Sequence, residues 1–245
     1  MASCLAEGTT ILTNAAKEPE IEDMVKFLNK AGAKIKGAGT DRIEITGVKR
    51  LSEISYNIMP DRIEAGTYLV AGAITGGNVK ITSANPIHIE PILDKLEEAN
   101  CLLEVGKNYI QIRAPKRIKA VDIKTMPYPG FPTDMQSVFA TVLTTVKGTS
   151  VIVENIFENR YKFIQELTRM GAKTTIEGRT AVIKGVKKLY GANVKATDLR
   201  GGAALVLAGT VAKGTTKIEN IEYILRGYEN FENKLKNVNI DIKRQ

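Results

Sequence analysis

Three aspartates stand at matching places along the chain, each ahead of a run of small apolar residues. They are Asp61 in Pro60-Asp61-Arg62-Ile63-Glu64, Asp134 in Pro132-Thr133-Asp134-Met135-Gln136, and Asp198 in Thr197-Asp198-Leu199-Arg200. Each has two readings. The carboxylate can accept a backbone N–H as a helix N-cap, worth about 1 kcal/mol, or it can serve as a base or ligand. Arg62 and Arg200 follow in the first helical turn, where a cation opposes the helix dipole. Free N–H groups at a helix start attract anions. A guanidinium adds a bidentate fork, so the Asp-Arg pairing points to a phosphate or carboxylate ligand. For a single aspartate, capping is the simpler reading.

Two more arginines, Arg160 in Glu158-Asn159-Arg160-Tyr161 and Arg226 in Arg226-Gly227-Tyr228-Glu229, occupy equivalent loops ahead of helical segments. Glu18-Pro19-Glu20 fills the same loop in the first quarter and reads as a helix start. His88, the only histidine, fills it in the second and reads as structural or solvent-facing. Cys4 and Cys101 lack CxxC spacing and histidine company, so they read as reduced core residues. No metal site is expected, because zinc wants clustered thiolates and imidazoles.

The elements that must position these residues form a repeat. Gly8, Gly77, Gly148 and Gly214 recur at intervals of about seventy residues. Each opens a β-rich run leading to Asn14, Asn85, Asn155 or Asn220, and a helical stretch follows. The helices stop at Gly32, Asn100, Gly171 and Asn239, the residue types that tolerate the left-handed C-cap. A hairpin comes next in the first three units, as in Leu103-Glu104-Val105, Gly106-Lys107-Asn108 and Tyr109-Ile110-Gln111-Ile112. One more strand and a second helix, opening at Asp61, Asp134 or Asp198, complete those units. Such units must pack with helices inside and sheets outside, or the converse. The fourth has a strand, a helix from Tyr228 to Lys236 and Ile240-Asp241-Ile242. Met1 to Ala6 reads as the last turns of a second helix, so both ends look unfinished, as in a piece of a longer repeat protein.

Composition narrows the partners. With 35 basic and 27 acidic side chains the formal charge is +8, which suits anionic ligands. No long basic run occurs and aromatics do not interleave with basic residues, so small anions are favoured over nucleic acid. No apolar stretch reaches the length of a membrane span and the amino terminus has no secretory pattern. The expectation is a cytoplasmic protein with no membrane or nucleic-acid partner.

Several strings appear in order: Leu5-Ala6-Glu7-Gly8-Thr9-Thr10, Gly39-Thr40-Asp41-Arg42-Ile43, Pro60-Asp61-Arg62-Ile63-Glu64-Ala65-Gly66-Thr67, Phe131-Pro132-Thr133-Asp134-Met135-Gln136, Phe157-Glu158-Asn159-Arg160, Ala196-Thr197-Asp198-Leu199-Arg200 and Arg226-Gly227-Tyr228-Glu229. Together they resemble the UDP-N-acetylglucosamine enolpyruvyl transferases along the whole chain. The resemblance implies an α/β fold, the inside-out barrel of the enolpyruvyl transferases built from repeated βαββαβ-like units, here incomplete. Residues 1–60 would be the last part of the first barrel domain and 61–245 most of the second, with a linker near Ser52 to Pro60.

The resemblance also implies a reaction, in which the enolpyruvyl group of phosphoenolpyruvate moves to the 3-hydroxyl of UDP-N-acetylglucosamine in peptidoglycan precursor synthesis. No cofactor is implied. Asp134 would accept the hydroxyl proton and Ile156 would line the sugar site through its backbone. Arg200 and Arg226 would hold the phosphate and carboxylate of phosphoenolpyruvate, with Asp198 at the same helix start. Asp61, Glu64 and Arg160 would support the cleft between the two domains. The family's reactive-loop cysteine (aspartate in some members) and its early Lys-Asn pair have no counterpart among these 245 residues. The chain alone is therefore expected to be inactive, either as a truncated product or as one subunit of a split enzyme. Unfinished repeat ends would favour self-association.

Overall fold

The computed structural model describes residues 1–244. The chain forms two compact units, one of Met1–Pro60 with Pro127–Gly130, the other of Asp61–Met126 with Phe131 onward. In the first unit, strand β1 (Thr9–Thr13), helix α1 (Pro19–Lys30) and the hairpin β2 (Lys34–Lys36) and β3 (Arg42–Thr46) follow one another. The three strands form an antiparallel sheet in the order β1-β3-β2. Alternation along β3 turns Ile43 and Ile45 inward, where they meet Ile35, Val25, Leu28 and Cys4 in a small core.

The second unit repeats that plan. It contains α2 (Arg62–Thr75), β4 (Asn78–Thr82), α3 (Glu90–Glu98), β5 (Leu102–Val105), β6 (Tyr109–Arg113), β7 (Ile123–Lys124) and α4 (Gln136–Leu143). Then come β8 (Thr149–Val153), α5 (Lys162–Arg169), β9 (Lys173–Glu177), β10 (Thr180–Lys184), β11 (Asn193–Lys195), α6 (Leu199–Val211), β12 (Lys217–Glu219), α7 (Glu222–Leu225) and α8 (Phe231–Lys236). Sheets β4-β6-β5 and β7-β8-β10-β9 preserve the order of the first, and β7 runs parallel to β8. A fourth, two-stranded sheet pairs β11 with β12 in parallel.

Helices α2, α4 and α6 pack on one another at the centre of this unit. Their sequences are apolar on every side, as a helix enclosed by protein requires. Every residue of α4 is buried, as are Gly201 to Ala208 of α6. The glycines of α6 permit the close approach of α5 and α7: a Cβ on Gly201 would lie 3.0 Å from Cβ of Phe163, and one on Gly202 2.6 Å from Cγ1 of Ile224. The sheets form the outside, with Leu102 72% and Ile176 42% exposed. Of the two arrangements open to such units, the helices-inside one is found.

Helix termination follows the expected rule. Gly32, Asn100, Gly171 and Asn239 all have positive φ, at 103°, 68°, 92° and 64°. The elements depart from expectation in four places. The fourth unit has two short helices instead of one from Tyr228 to Lys236, and Tyr228 lies between them, fully buried against Phe231. Burying that ring fixes a bend that helical spacing alone does not reveal. Ile240 to Ile242 is irregular, Ala2–Leu5 is a 3-10 turn, and residues 47 to 60 contain no strand.

A buried-helix, exposed-sheet unit makes unequal demands on similar residues. Leu205→Ala in α6 should lower the unfolding free energy in urea by about 2–5 kcal/mol. Leu102→Ala on the outer sheet face should change it by about 0.5 kcal/mol or less. Equal losses would contradict this layering.

Candidate functional site

Asp61 and Asp198 cap their helices. Asp61 Oδ1 accepts from Ile63 N at 2.8 Å and Glu64 N at 2.9 Å. Asp198 Oδ1 accepts from Arg200 N at 3.0 Å and Gly201 N at 2.8 Å, and its Oδ2 accepts from Thr197 Oγ1 at 3.1 Å. Asp134 does not cap. It sits in a 3-10 turn, Thr133–Met135, ahead of α4, and no side-chain cap bond forms there.

The Asp134 carboxylate instead joins two arginines. Arg160, from the loop before α5, donates Nη2 to Oδ1 at 2.7 Å. Arg200, from the first turn of α6, donates Nη2 to Oδ2 at 3.1 Å and Nε at 3.3 Å. Both guanidinium groups are held from behind by aromatic faces. Arg160 lies 4.9 Å from the Phe157 ring centre and Arg200 5.4 Å from that of Tyr228, geometries that favour a cation. Tyr228 is in turn fixed by a 2.9 Å hydrogen bond between its hydroxyl and that of Thr67 in α2.

These groups line a cleft of about 810 Å³, which also receives Ile156, Phe157, Glu158, Lys162, Arg179, Asp198 and Arg226. Five of its side chains are basic and three acidic, so the cleft suits an anion. Arg226 is exposed, and among the described residues it makes no hydrogen bond or ion pair. Ile156 gives its N–H to the Glu154 carboxylate at 2.8 Å, which leaves its carbonyl as the backbone group open to a ligand. Of the residues singled out in the sequence, Asp134, Ile156, Arg160, Asp198, Arg200 and Arg226 meet in this cleft. Asp61 and Glu64 are not among its walls, and Glu64 pairs with Lys234 at 2.7 Å.

Sequence reasoning passed over Phe157, Arg179, Tyr228 and Glu154. A signal existed for Glu154. Ser150 and Ile152 of β8 point inward, and the period of two carries Glu154 to the same buried side.

The electrostatics of Asp134 follow from this geometry. Burial pushes its carboxyl up, but Arg200 and the hydrogen-bonded Arg160 outweigh burial and hold it below the usual aspartate range. Its folded-state value is depressed, so the stability it contributes is present above the ordinary aspartate range. That stability is lost as pH falls through the lowered value. In Arg160→Met, the Asp134 carboxyl should titrate closer to the ordinary value of about 3.9. Carbon-13 NMR of the side-chain carboxyl would read the change; an unchanged midpoint would show that Arg160 does not set it.

The wider kinship of the chain agrees with this architecture. The family model for EPSP synthase (3-phosphoshikimate 1-carboxyvinyltransferase) matches residues 1–235. A UDP-N-acetylglucosamine 1-carboxyvinyltransferase of Caldanaerobacter subterraneus is 55% identical over all 245 residues, and one of Geobacter metallireducens is 52% identical over 244. The chain spans 59% and 58% of the lengths of those two relatives. Among solved structures, the enolpyruvyl transferase NikO from Streptomyces tendae superposes with a TM-score of 0.87 at 26% identity, covering 99% of this chain and 58% of NikO. An EPSP synthase from Acinetobacter baumannii shares the fold at a TM-score of 0.72 and 18% identity, over 99% of this chain and 60% of its own. With nearly every residue matched and the repeat plan shared, the chain belongs to the EPSP synthase (3-phosphoshikimate 1-carboxyvinyltransferase) family of enolpyruvyl transferases.

Proposed function

We propose that this chain supplies the base and the anion clamp for transfer of an enolpyruvyl group from phosphoenolpyruvate to the 3-hydroxyl of UDP-N-acetylglucosamine. The observation that carries the reading is Asp134 held between Arg160 and Arg200 in a basic cleft that also contains Arg226. The similarity to UDP-N-acetylglucosamine 1-carboxyvinyltransferases along the whole of this chain, at 52–55% identity, supports the sugar substrate and a place in peptidoglycan precursor synthesis.

In this reading the sugar hydroxyl attacks C2 of phosphoenolpyruvate and gives its proton to Asp134, while C3 takes up a proton. Elimination then expels phosphate, C3 loses a proton and the carbon–carbon double bond returns. Asp134 is a weak base while two guanidinium groups neutralise it. An incoming phosphate competes for Arg200 and Arg226, and transfer of Arg200 from carboxylate to phosphate restores the basicity of Asp134. The same arginines offset charge on the departing phosphate, the largest contribution a fixed cationic site can make. Ile156 orients the sugar through its carbonyl. Asp198 keeps Arg200 at the helix start, while Asp61 caps α2 and Glu64 pairs with Lys234 outside the cleft walls.

Phosphate release with both substrates tests the proposal. The 245-residue chain alone should release none, because it offers no acid for C3 at a recognisable position. Mixing it with the amino-terminal half of a similar UDP-N-acetylglucosamine 1-carboxyvinyltransferase should allow release if the halves assemble. In an active assembly, Asp134→Asn should lower kcat by about 10²–10⁴-fold. Arg226→Ala should cost on the order of 3 kcal/mol in kcat/KM. Unchanged rates in either variant would reject the assignment.

A further inference from the structure

Glu154 follows β8 in phase with Ser150 and Ile152, and its side chain is carried into the interior, 1% exposed. A carboxylate there costs several kcal/mol unless its oxygens are satisfied. Among the described residues no cation is a hydrogen-bond partner of its carboxylate; the donors are neutral. Oε1 accepts from Thr125 Oγ1 at 2.9 Å, Ile156 N at 2.8 Å and Phe157 N at 3.1 Å. Oε2 accepts from Thr133 Oγ1 at 2.9 Å. The neighbouring backbone is tied down as well. Glu154 N donates to Arg179 O at 2.8 Å, and Asn155 N donates to Thr125 Oγ1 at 2.9 Å.

The two oxygens reach two different segments that lead into the cleft. One gathers the backbone of Ile156 and Phe157. The other holds the residue immediately before Asp134. A carboxylate is rigid and planar, so the distance between its oxygens fixes the spacing of the two segments.

We propose that Glu154 is a positioning residue whose carboxylate locks the Ile156–Phe157 segment to the Thr133–Asp134 turn, setting the gap across which the acceptor sugar meets Asp134. This rests on the assignment of the cleft to a nucleotide sugar made above. Glu154 touches no substrate itself and acts through Thr133 and Ile156. Glutamine can imitate it: an amide oxygen in the Oε1 position keeps three donors, and the amide nitrogen can donate to the Thr133 hydroxyl. Aspartate, one methylene shorter, cannot span both partners, and alanine loses both.

The 245-residue chain provides the test, with hydrogen exchange of its backbone and calorimetric titration of UDP-N-acetylglucosamine. In Glu154→Ala, exchange should accelerate in residues 155–158 while α6 keeps its protection. Affinity for the nucleotide sugar should fall by about 10–100-fold, as displacement of a site wall by about 1 Å would cause. Glu154→Gln should restore affinity to within about threefold of the parent. Leu205→Ala, destabilised through the core, should retain affinity in its folded fraction and so separates positioning from stability. Full affinity in Glu154→Ala would overturn the proposal. So would a loss of protection spread evenly over the unit with no recovery in Glu154→Gln. If the parent chain itself does not bind the nucleotide sugar, the functional assignment fails first, a result distinct from binding that ignores Glu154.

Discussion

A carboxylate shared by two guanidinium groups constrains more of the chain than any other contact in the site. Asp134 comes from the turn before α4, Arg160 from the loop before α5 and Arg200 from the first turn of α6. Bonds of 2.7 and 3.1 Å require those three starts to sit side by side. The apolar helices meet that requirement. Helices α4 and α6 are in direct contact, α5 packs on α6, and Gly201 lacks the Cβ that would crowd Phe163 of α5. The charged cluster is therefore a consequence of core packing.

The repeat was legible because its punctuation is physical. A helix that ends in the left-handed conformation needs glycine or asparagine, and Gly32, Asn100, Gly171 and Asn239 could be read as stops without knowing any contact. The hairpins were legible for a related reason, since alternation and turn residues are local. What was not legible depended on partners distant in sequence. Three aspartates at equivalent helix starts look alike, yet Asp61 and Asp198 cap while Asp134 turns to Arg160 and Arg200. The difference lies in residues 26 and 66 positions away, which no local pattern encodes. The bend at Tyr228 is similar. Its hydroxyl meets Thr67, 161 residues earlier, and that contact outweighs the helical propensity of the segment.

Glu154 is an intermediate case. Its inward direction follows from strand period alone, but a carboxyl group at a core position contradicts the pattern that places it there. Sites where local rules and burial disagree are where function or strain is to be sought. The four donors around Glu154 resolve the contradiction locally, so no counter-ion is needed and the positive charge of the cleft remains available to a ligand.

That separation of charges bears on how, under the proposed function, a neutralised Asp134 could still accept a proton. Were Glu154 paired with Arg160 or Arg179, the buried acid would consume the cations that the cleft presents. Because its charge is answered by hydroxyls and backbone N–H groups, Arg160 and Arg200 are left to Asp134, with Arg226 unpaired beside them. Five basic against three acidic side chains leave the cleft an excess of positive charge that favours an anion. An anion that draws Arg200 to itself weakens the interaction holding the Asp134 carboxyl below its usual range, although burial continues to push that carboxyl upward. Both effects then act in one direction, toward a stronger base. Under the proposed function, the burial that is a cost to Asp134 without a ligand adds to its basicity once the ligand is bound.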